Sequence, residues 1–266
     1  MILPSGLDAN AVLPLLAGLA YAISAAGAAR LGERGAWLAL VGAWLLHLAA
    51  IVAGLAAEPH RFGFAPALSV TAWLVLTAYA VEHQVFPQLQ ARWALAGLGS
   101  LAVILGLLFP GSPLHTHASP WLPLHLALGV ASYGLFAAAA VHAWLMMRAE
   151  HSIRAGADAN AGLPLLTLER LTFRFAGAGF VLLSATLVAG LFFSEVLYGR
   201  PLRFDHKTVF SVLAWLVFAF LLLGRLRFGW RGRKAVRVLY TGSVLLLLAY
   251  VGSRFVLEVI LRRPVT

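Results

Sequence analysis

The chain has 266 residues, of which 61% are hydrophobic and 11% are charged, and its mean hydropathy is +0.88. This composition excludes a soluble globular protein, because too few polar residues are available to cover its surface, and it indicates a multi-pass membrane protein. The absence of cysteine excludes a disulfide framework, a thiolate metal site and a C-x-x-C-H haem-attachment motif.

Eight apolar segments are long enough to cross a bilayer as helices, which takes about 20 residues each. The alternation of a membrane β-barrel is absent, and backbone groups in lipid must pair within their own segment, so the sequence predicts an all-α bundle. No repeat or long linker divides it, and a single membrane domain over residues 1–266 is expected. In chain order the predicted helices are 7–29, 36–57, 64–81, 93–109, 121–147, 173–193, 208–224 and 236–261.

Basic residues mark the loops that follow the odd-numbered helices, and the positive-inside rule places these loops in the cytoplasm. Both termini are therefore predicted on the outer, periplasmic side. The first ten residues contain no Lys or Arg, so they lack the positive region of a cleavable signal peptide, and the first helix is expected to be retained. Because the net charge of +10 follows this topology and forms no single stripe, it predicts contact with the lipid bilayer and no nucleic-acid partner.

The histidines are the candidate functional residues of this chain. His47 lies midway along the second predicted helix, while His125 and His206 open the fifth and seventh helices near one membrane face. Imidazole in hydrocarbon needs partners for both ring nitrogens, and intramembrane ionisable groups are candidates for functional sites. Each histidine is either a ligand of a metal or haem, or a hydrogen-bonding bridge between helices.

Spacing separates these histidines into groups. His142 follows His125 by 17 residues, which places it about 25 Å deeper along the same helix, so the two cannot share a metal. His142 is interpreted as an independent site or, in preference, as a snorkelling residue at the cytoplasmic interface. His206 begins at the same depth as His125. In the outer loop, His115 and His117 form an H-x-H pair that could chelate a metal.

The segment from Arg200 to Lys207 places three cations beside His206. An anionic cofactor with a metal fits such a cluster, since haem propionates pair with Arg203 or Lys207 while the iron takes His206. The alternative is a set of interfacial anchors in which Asp205 caps the seventh helix.

Three segments resemble the membrane-embedded cytochrome c assembly family of the CcsA and CcmC type. The similarity covers most of residues 36–262, and it implies a protein that handles haem at the outer face of the membrane. The segment with His47 resembles that of the family's transmembrane histidine, and the segment with His125 resembles that of its first external histidine. The matching residues are Trp44-Leu-Leu-His47, Trp121-Leu-Pro-Leu-His125 with Ser132-Tyr133, Phe204-Asp205-His206-Lys207-Thr208 with Trp215, Phe218, Arg225 and Arg231-Gly232, and Tyr250-Val-Gly252.

Two departures from the family pattern narrow the resemblance. The tryptophan-rich half of the family's signature is missing, since residues 190–198 contain no Trp. The second external histidine is also absent, and His206, which stands where the family has proline, could replace it. This pattern is similar to the short YpjD-like, HemX-like inner-membrane branch of the family.

The resemblance implies a bacterial inner-membrane protein that binds b-type haem non-covalently and supports assembly of cytochrome c or of other haem proteins. His125 and His206 would be axial ligands of the iron, with His47 as an internal haem site or a structural histidine. Arg203 and Lys207 would meet the propionates. Other cytochrome-assembly membrane proteins are expected partners. Enzyme activity is left open but is not favoured, because no independent nucleophile or base constellation occurs in the sequence.

A transporter or accessory protein for divalent-cation efflux is the alternative from another class. In that case Glu82 and His83, at the inner end of the third helix, and His47 at the midplane would line a cation path. Carboxylates at the midplane would favour this function, but the acidic residues of the helices lie near the interfaces. A third hypothesis is a structural protein whose histidines only bridge helices.

Overall fold

A computed structural model shows a protein built almost entirely of helices. The residues that it describes are 9–27, 30, 32–59, 61–86, 92–113, 121–156, 164–192 and 206–261. The helices are α1 (Ala9–Gly27), α2 (Glu33–Ala56), α3 (Phe64–Val85), α4 (Arg92–Leu108), α5 (Leu122–Arg154), α6 (Leu165–Phe192), α7 (His206–Phe228), α8 (Gly232–Leu247) and the short α9 (Ser253–Phe255). Strands β1 (Arg61–Phe62) and β2 (Ser112–Pro113) form an antiparallel pair.

Six helical segments of the described chain are long and apolar enough to cross a membrane, and two shorter apolar helices, Ala11–Gly27 and Trp93–Leu108, accompany them. They correspond in position to the eight predicted helices. The prediction of an all-α, multi-pass membrane protein is therefore confirmed. The sidedness of the termini stays a prediction, because helix geometry does not distinguish the two faces of a membrane.

The last membrane segment, Gly232–Ile260, changes its winding along its length. After α8, the backbone runs as a π-helix over Leu248–Gly252, returns to α-geometry in α9 and is π-helical again over Val256–Ile260. The Ser253 hydroxyl donates a hydrogen bond of 2.5 Å to the carbonyl of Ala249. Isolated π turns are uncommon and frequently occur at functional sites.

The chain divides into two compact units. Unit 1 consists of Met1–Thr77, Gln90–Leu114 and Leu257–Thr266, and unit 2 consists of Ala78–Leu89 and His115–Val256. Helix α3 contributes its first part to unit 1 and its last turns to unit 2. The single-domain interpretation stays a prediction.

In unit 1, α1 packs against α2 and α4. The Ser100 hydroxyl of α4 donates a 3.0 Å hydrogen bond to the carbonyl of Gly18 in α1. Trp44 of α2 stacks on Trp73 of α3, with ring centroids 5.1 Å apart. A hydrogen bond and a stacked aromatic pair thus hold these helices together. In lipid, the hydrophobic effect contributes little to contacts between helices.

Unit 2 contains a ring of four helices in which α5 packs on α6, α6 on α7, α7 on α8 and α8 on α5. Phe136 of α5 and Phe218 of α7 stack at its centre, with centroids 3.6 Å apart. Gly242 of α8 makes room for this pair, since a Cβ there would come within 2.7 Å of the Phe218 ring. By contrast, apolar side chains such as Leu226 are exposed, as expected for a surface that faces lipid.

Candidate functional site

His125 lies on the first turn of α5, which begins at Leu122. Its ring is half-buried and lies against α6 at Gly190, where a Cβ would be 3.5 Å from the imidazole Cε1 atom. A glycine at this position leaves the space of a side chain open beside the ring. The His125 ring is thus held against α6 at a position where the neighbouring residue has no side chain.

Two cations and a tyrosine lie at the same end of unit 2. The Lys207 ammonium, on the first turn of α7, is 5.4 Å from the centroid of the Tyr250 ring, and the Arg254 guanidinium is 5.8 Å from it. Both distances are within the range of a cation–π interaction. The structure therefore brings Lys207 and Tyr250 together. His125, on the first turn of α5, and these two residues are called the outer cluster.

Tyr133 and Tyr250 are members of this region whose roles the sequence did not predict. The Tyr133 hydroxyl, on α5, donates a hydrogen bond to the Leu246 carbonyl at the end of α8, next to the π-helical segment that carries Tyr250. The sequence shows Ser132-Tyr133 and Tyr250 only as residues that match the family pattern. A polar residue beside a small-residue stretch was the available signal, but the contact between α5 and α8 could not be read from it.

His206 is the first residue of α7 and is exposed. Because consecutive membrane helices cross in opposite directions, α5 and α7 begin at the same face, which is where the sequence placed His125 and His206. Arg203 and Asp205 lie outside the described residues, as do His115 and His117. The roles predicted for these four side chains, and the axial role of His206, stay predictions.

His47 is fully buried in unit 1, and both of its ring nitrogens face hydroxyl groups. Its Nδ1 is 3.3 Å from the Tyr21 hydroxyl of α1, and its Nε2 is 2.8 Å from the Ser69 hydroxyl of α3. The Tyr21 ring also meets the imidazole edge-on, at 5.6 Å between centroids. One imidazole thus joins three helices. Of the two roles predicted for His47, this geometry favours the structural one, since a ligated iron would displace a hydroxyl.

The preferred interpretation of His142 as a snorkelling interface residue is wrong. Its side chain is buried, at 4% exposure, and its Nε2 is 2.8 Å from the Oε2 atom of Glu82. The Phe175 ring of α6 stacks on it, with centroids 5.2 Å apart. A partner 60 residues earlier in the chain leaves no trace in helix periodicity, so the sequence could not reveal this pair.

A second buried carboxylate, Glu169, lies where α6 begins and α7 ends. Glu169 of α6 accepts from the Arg225 guanidinium at 2.5 Å and lies 3.5 Å from the Arg231 Nε atom. Arg225 also donates to the Trp230 carbonyl at 3.2 Å. These contacts hold the turn between α7 and α8, so Arg225 and Arg231 have a packing role besides the topological one that the sequence assigned to them.

The cation-path hypothesis receives little support from the described part of the chain. No group of three or more His, Cys, Asp or Glu side chains that could hold a metal ion occurs there. Glu82 faces His142, and the neighbouring His83 ring stacks on Tyr79 at 5.7 Å. The carboxylate and imidazole expected to line a path together thus contact different partners.

Comparison with known proteins identifies the family. Residues 36–261 match the family model described as cytochrome C assembly protein. The chain belongs to this family. The predicted resemblance is therefore confirmed, and it extends over nearly all of the residues on which it was based.

Three relatives show how the similarity is distributed. The inner membrane protein YpjD of Escherichia coli is 36% identical over 148 residues, which cover 55% of this chain and 56% of the relative. An uncharacterized 28.8 kDa protein of Azospirillum brasilense is 40% identical over 147 residues, or 53% of each chain. The cytochrome c biogenesis protein CcsA of Gloeobacter violaceus is 30% identical over 92 residues, which cover 35% of this chain and 27% of the relative.

The matched region spans about half the length of the first two relatives. No solved structure matches the chain. The apolar helices, together with the similarity to an inner membrane protein, confirm the prediction of a multi-pass inner-membrane protein.

Proposed function

We propose that this protein binds b-type haem non-covalently at the outer cluster of unit 2 and supports the assembly of cytochromes c or other haem proteins in the inner membrane. The observation that carries the proposal is the contact between the Lys207 ammonium and the Tyr250 ring, with Lys207 and His125 on the first turns of two helices that begin at the same face. Membership of the cytochrome c assembly family supports it, as does similarity to a protein named for cytochrome c biogenesis.

The residues present fit the chemistry of haem. His125 offers an imidazole, the commonest protein ligand of haem iron, and Gly190 leaves space beside it. Half-buried Lys207 supplies a cation for a propionate, and a charge-assisted pair of this kind is stronger than a neutral hydrogen bond. When bound, haem supplies an iron that exchanges axial ligands and electrons. The lack of cysteine keeps this haem non-covalent.

The remaining ligands are assigned from their position in the chain. His206 is exposed at the first turn of α7 and would take the second axial position. Arg203 would meet the second propionate. His47 is not needed in this arrangement, because its nitrogens bond to the Tyr21 and Ser69 hydroxyls. Haem is then a cargo or cofactor of unit 2, and other cytochrome-assembly proteins would receive it.

Haem retention by purified variants tests the proposal. The protein is purified in detergent with added haem, and the Soret band and the ratio of haem to protein are recorded. We expect His125→Ala and His206→Ala each to lower haem retention, and Lys207→Gln to weaken binding without changing the ligand spectrum. The control is His151→Ala, at the exposed end of α5, which should retain haem.

Chemical rescue with imidazole distinguishes the loss of an iron ligand from a failure to fold. His125→Gly opens a cavity that free imidazole can enter, so added imidazole should restore the Soret band of this variant. Equal haem content in the wild type and in the His125, His206 and His151 variants would overturn the assignment of the ligands.

A further inference from the structure

We propose that Glu82 and His142 form a proton-binding site in the membrane-spanning part of unit 2. The pair joins the last turns of α3 to the middle of α5, and it is separate from the outer cluster. Ionisable side chains that face one another inside a membrane bundle are the groups from which proton relays are built.

Both side chains of this site are shielded from solvent. Glu82 is 8% exposed and His142 is 4% exposed. Glu82 Oε1 has no hydrogen-bond partner in the described part of the chain, and the 2.8 Å contact of Oε2 with the imidazole is not well aligned with the ring N–H direction. A small rotation of the carboxylate brings the two atoms into alignment at this distance. Among the described residues, the His142 imidazole is thus the polar group that the Glu82 carboxylate contacts.

The hydrogen bond of His142 Nδ1 determines how many protons the Glu82–His142 pair holds. His142 Nδ1 is 2.8 Å from the carbonyl oxygen of Ala138. A carbonyl only accepts, so Nδ1 carries a hydrogen. The Nε2 atom and the Glu82 Oε2 atom then approach to 2.8 Å, a distance at which two lone pairs would repel. One proton must lie between them, on the carboxyl or on the imidazole.

Either position of this proton leaves the pair without net charge. Removal of the proton leaves an anion among apolar side chains, and addition of a second proton leaves a cation there. Both charged states are unfavourable in a membrane interior. The pair therefore binds one proton as a unit, and exchange of this proton requires the contact between α3 and α5 to open. Proton binding and helix contact are coupled at this position.

The charged and titratable groups near Glu82 and His142 contact other partners. On α6, Phe175 covers the imidazole, and Glu169 is occupied by Arg225 of α7. On α3, the His83 ring stacks on Tyr79. Beyond His142 on α5, Arg148 lies over Trp144 and Glu150 pairs with Arg154. Among the described residues, each of these neighbouring titratable or charged groups thus contacts a partner outside the Glu82–His142 pair.

Infrared spectroscopy and proton counting on the full-length protein in detergent test the site. Wild type, Glu82→Gln and His142→Gln are titrated while carboxyl and imidazole bands that respond to deuterium are recorded. We expect Glu82→Gln to lose the carboxyl band and shift the imidazole band, His142→Gln to lose the imidazole band and shift the carboxyl band, and each variant to exchange about one proton fewer per molecule than the wild type. Glu150→Gln is the matched control, because Glu150 is the carboxylate of an exposed pair, and it should keep those bands.

A readout on the wild type guards against variants that fail to fold. ¹⁵N-histidine NMR should show one imidazole whose Nδ1 stays protonated while its Nε2 resonance changes with pH and with transfer to deuterium oxide. Identical infrared bands and proton counts in wild type and folded Glu82→Gln would overturn the proposal. An Nε2 resonance that is insensitive to pH and to deuterium would also overturn it, since the pair would then be a fixed contact.

Discussion

Replacement of His47 by leucine separates a structural histidine from a haem ligand. The side chain is fully buried and forms two interhelical hydrogen bonds, of 3.3 Å to Tyr21 and 2.8 Å to Ser69. Such bonds in membrane proteins contribute about 1 kcal/mol each. We expect His47→Leu to lower the free energy of unfolding by about 2 kcal/mol, Ser69→Ala by about 1 kcal/mol, and Tyr21→Phe by less, because its bond is the longer one.

Unfolding in mixed micelles of mild detergent and dodecyl sulfate, followed by circular dichroism, measures these differences. The same preparations give the haem spectrum. Because a difference of about 1.4 kcal/mol is a tenfold change in the unfolding equilibrium, the His47 variant should be clearly separated from the wild type. An unchanged stability together with a lost or shifted Soret band would refute this reasoning and would identify His47 as an iron ligand.

Three further predictions concern haem access, topology and packing. Gly190→Leu should fill the space beside His125 and lower haem binding, measured by titration, whereas Gly177→Leu on the same helix, where no atom lies within 4 Å of a Cβ, should leave it unchanged. A reporter that is active only outside the cytoplasm should be active when fused near Ser112 and inactive near Gly232, and the opposite pattern would invert the bundle. Gly242→Ala, which places a methyl carbon 2.7 Å from a central phenylalanine ring, should lower unfolding free energy by about 1–3 kcal/mol in the same micelle assay.

Hydropathy predicted the membrane helices well because burial in lipid acts on each segment by itself. It located their ends less well. Residue 173 was predicted as the start of the sixth helix, but α6 begins at Leu165, and α5 continues to Arg154, past the predicted end at residue 147. Outside the lipid, hydrogen bonds and the pairing of Glu150 with Arg154 keep the helix wound. An apolar window cannot detect such polar turns.

The candidate site was predictable where a residue's own position carried the information. His125 was identified from its place at the start of a span, and Lys207 from the cations around it. The partners of His47 and His142 depend on which helices become neighbours. Ser69 and Glu82 lie in the same helix, α3, yet they bond to different histidines, and no periodicity in α3 distinguishes the two faces.

The π-helical winding after Leu247 shifts the angular phase of the final membrane segment. An α-helix turns by about 100° per residue, and a π turn takes up one residue more than an α turn, so each one rotates everything beyond it relative to α8. In this phase the Tyr250 ring lies near the Lys207 ammonium, and the Arg254 guanidinium lies near the Tyr250 ring. Conversion of 248–252 to α-geometry at unchanged length would rotate Arg254 by about 100° about the helix axis, whereas deletion of one residue there would restore α-geometry and leave Arg254 on the same side. The winding of this segment, and not only its composition, therefore determines which side chains reach the outer cluster.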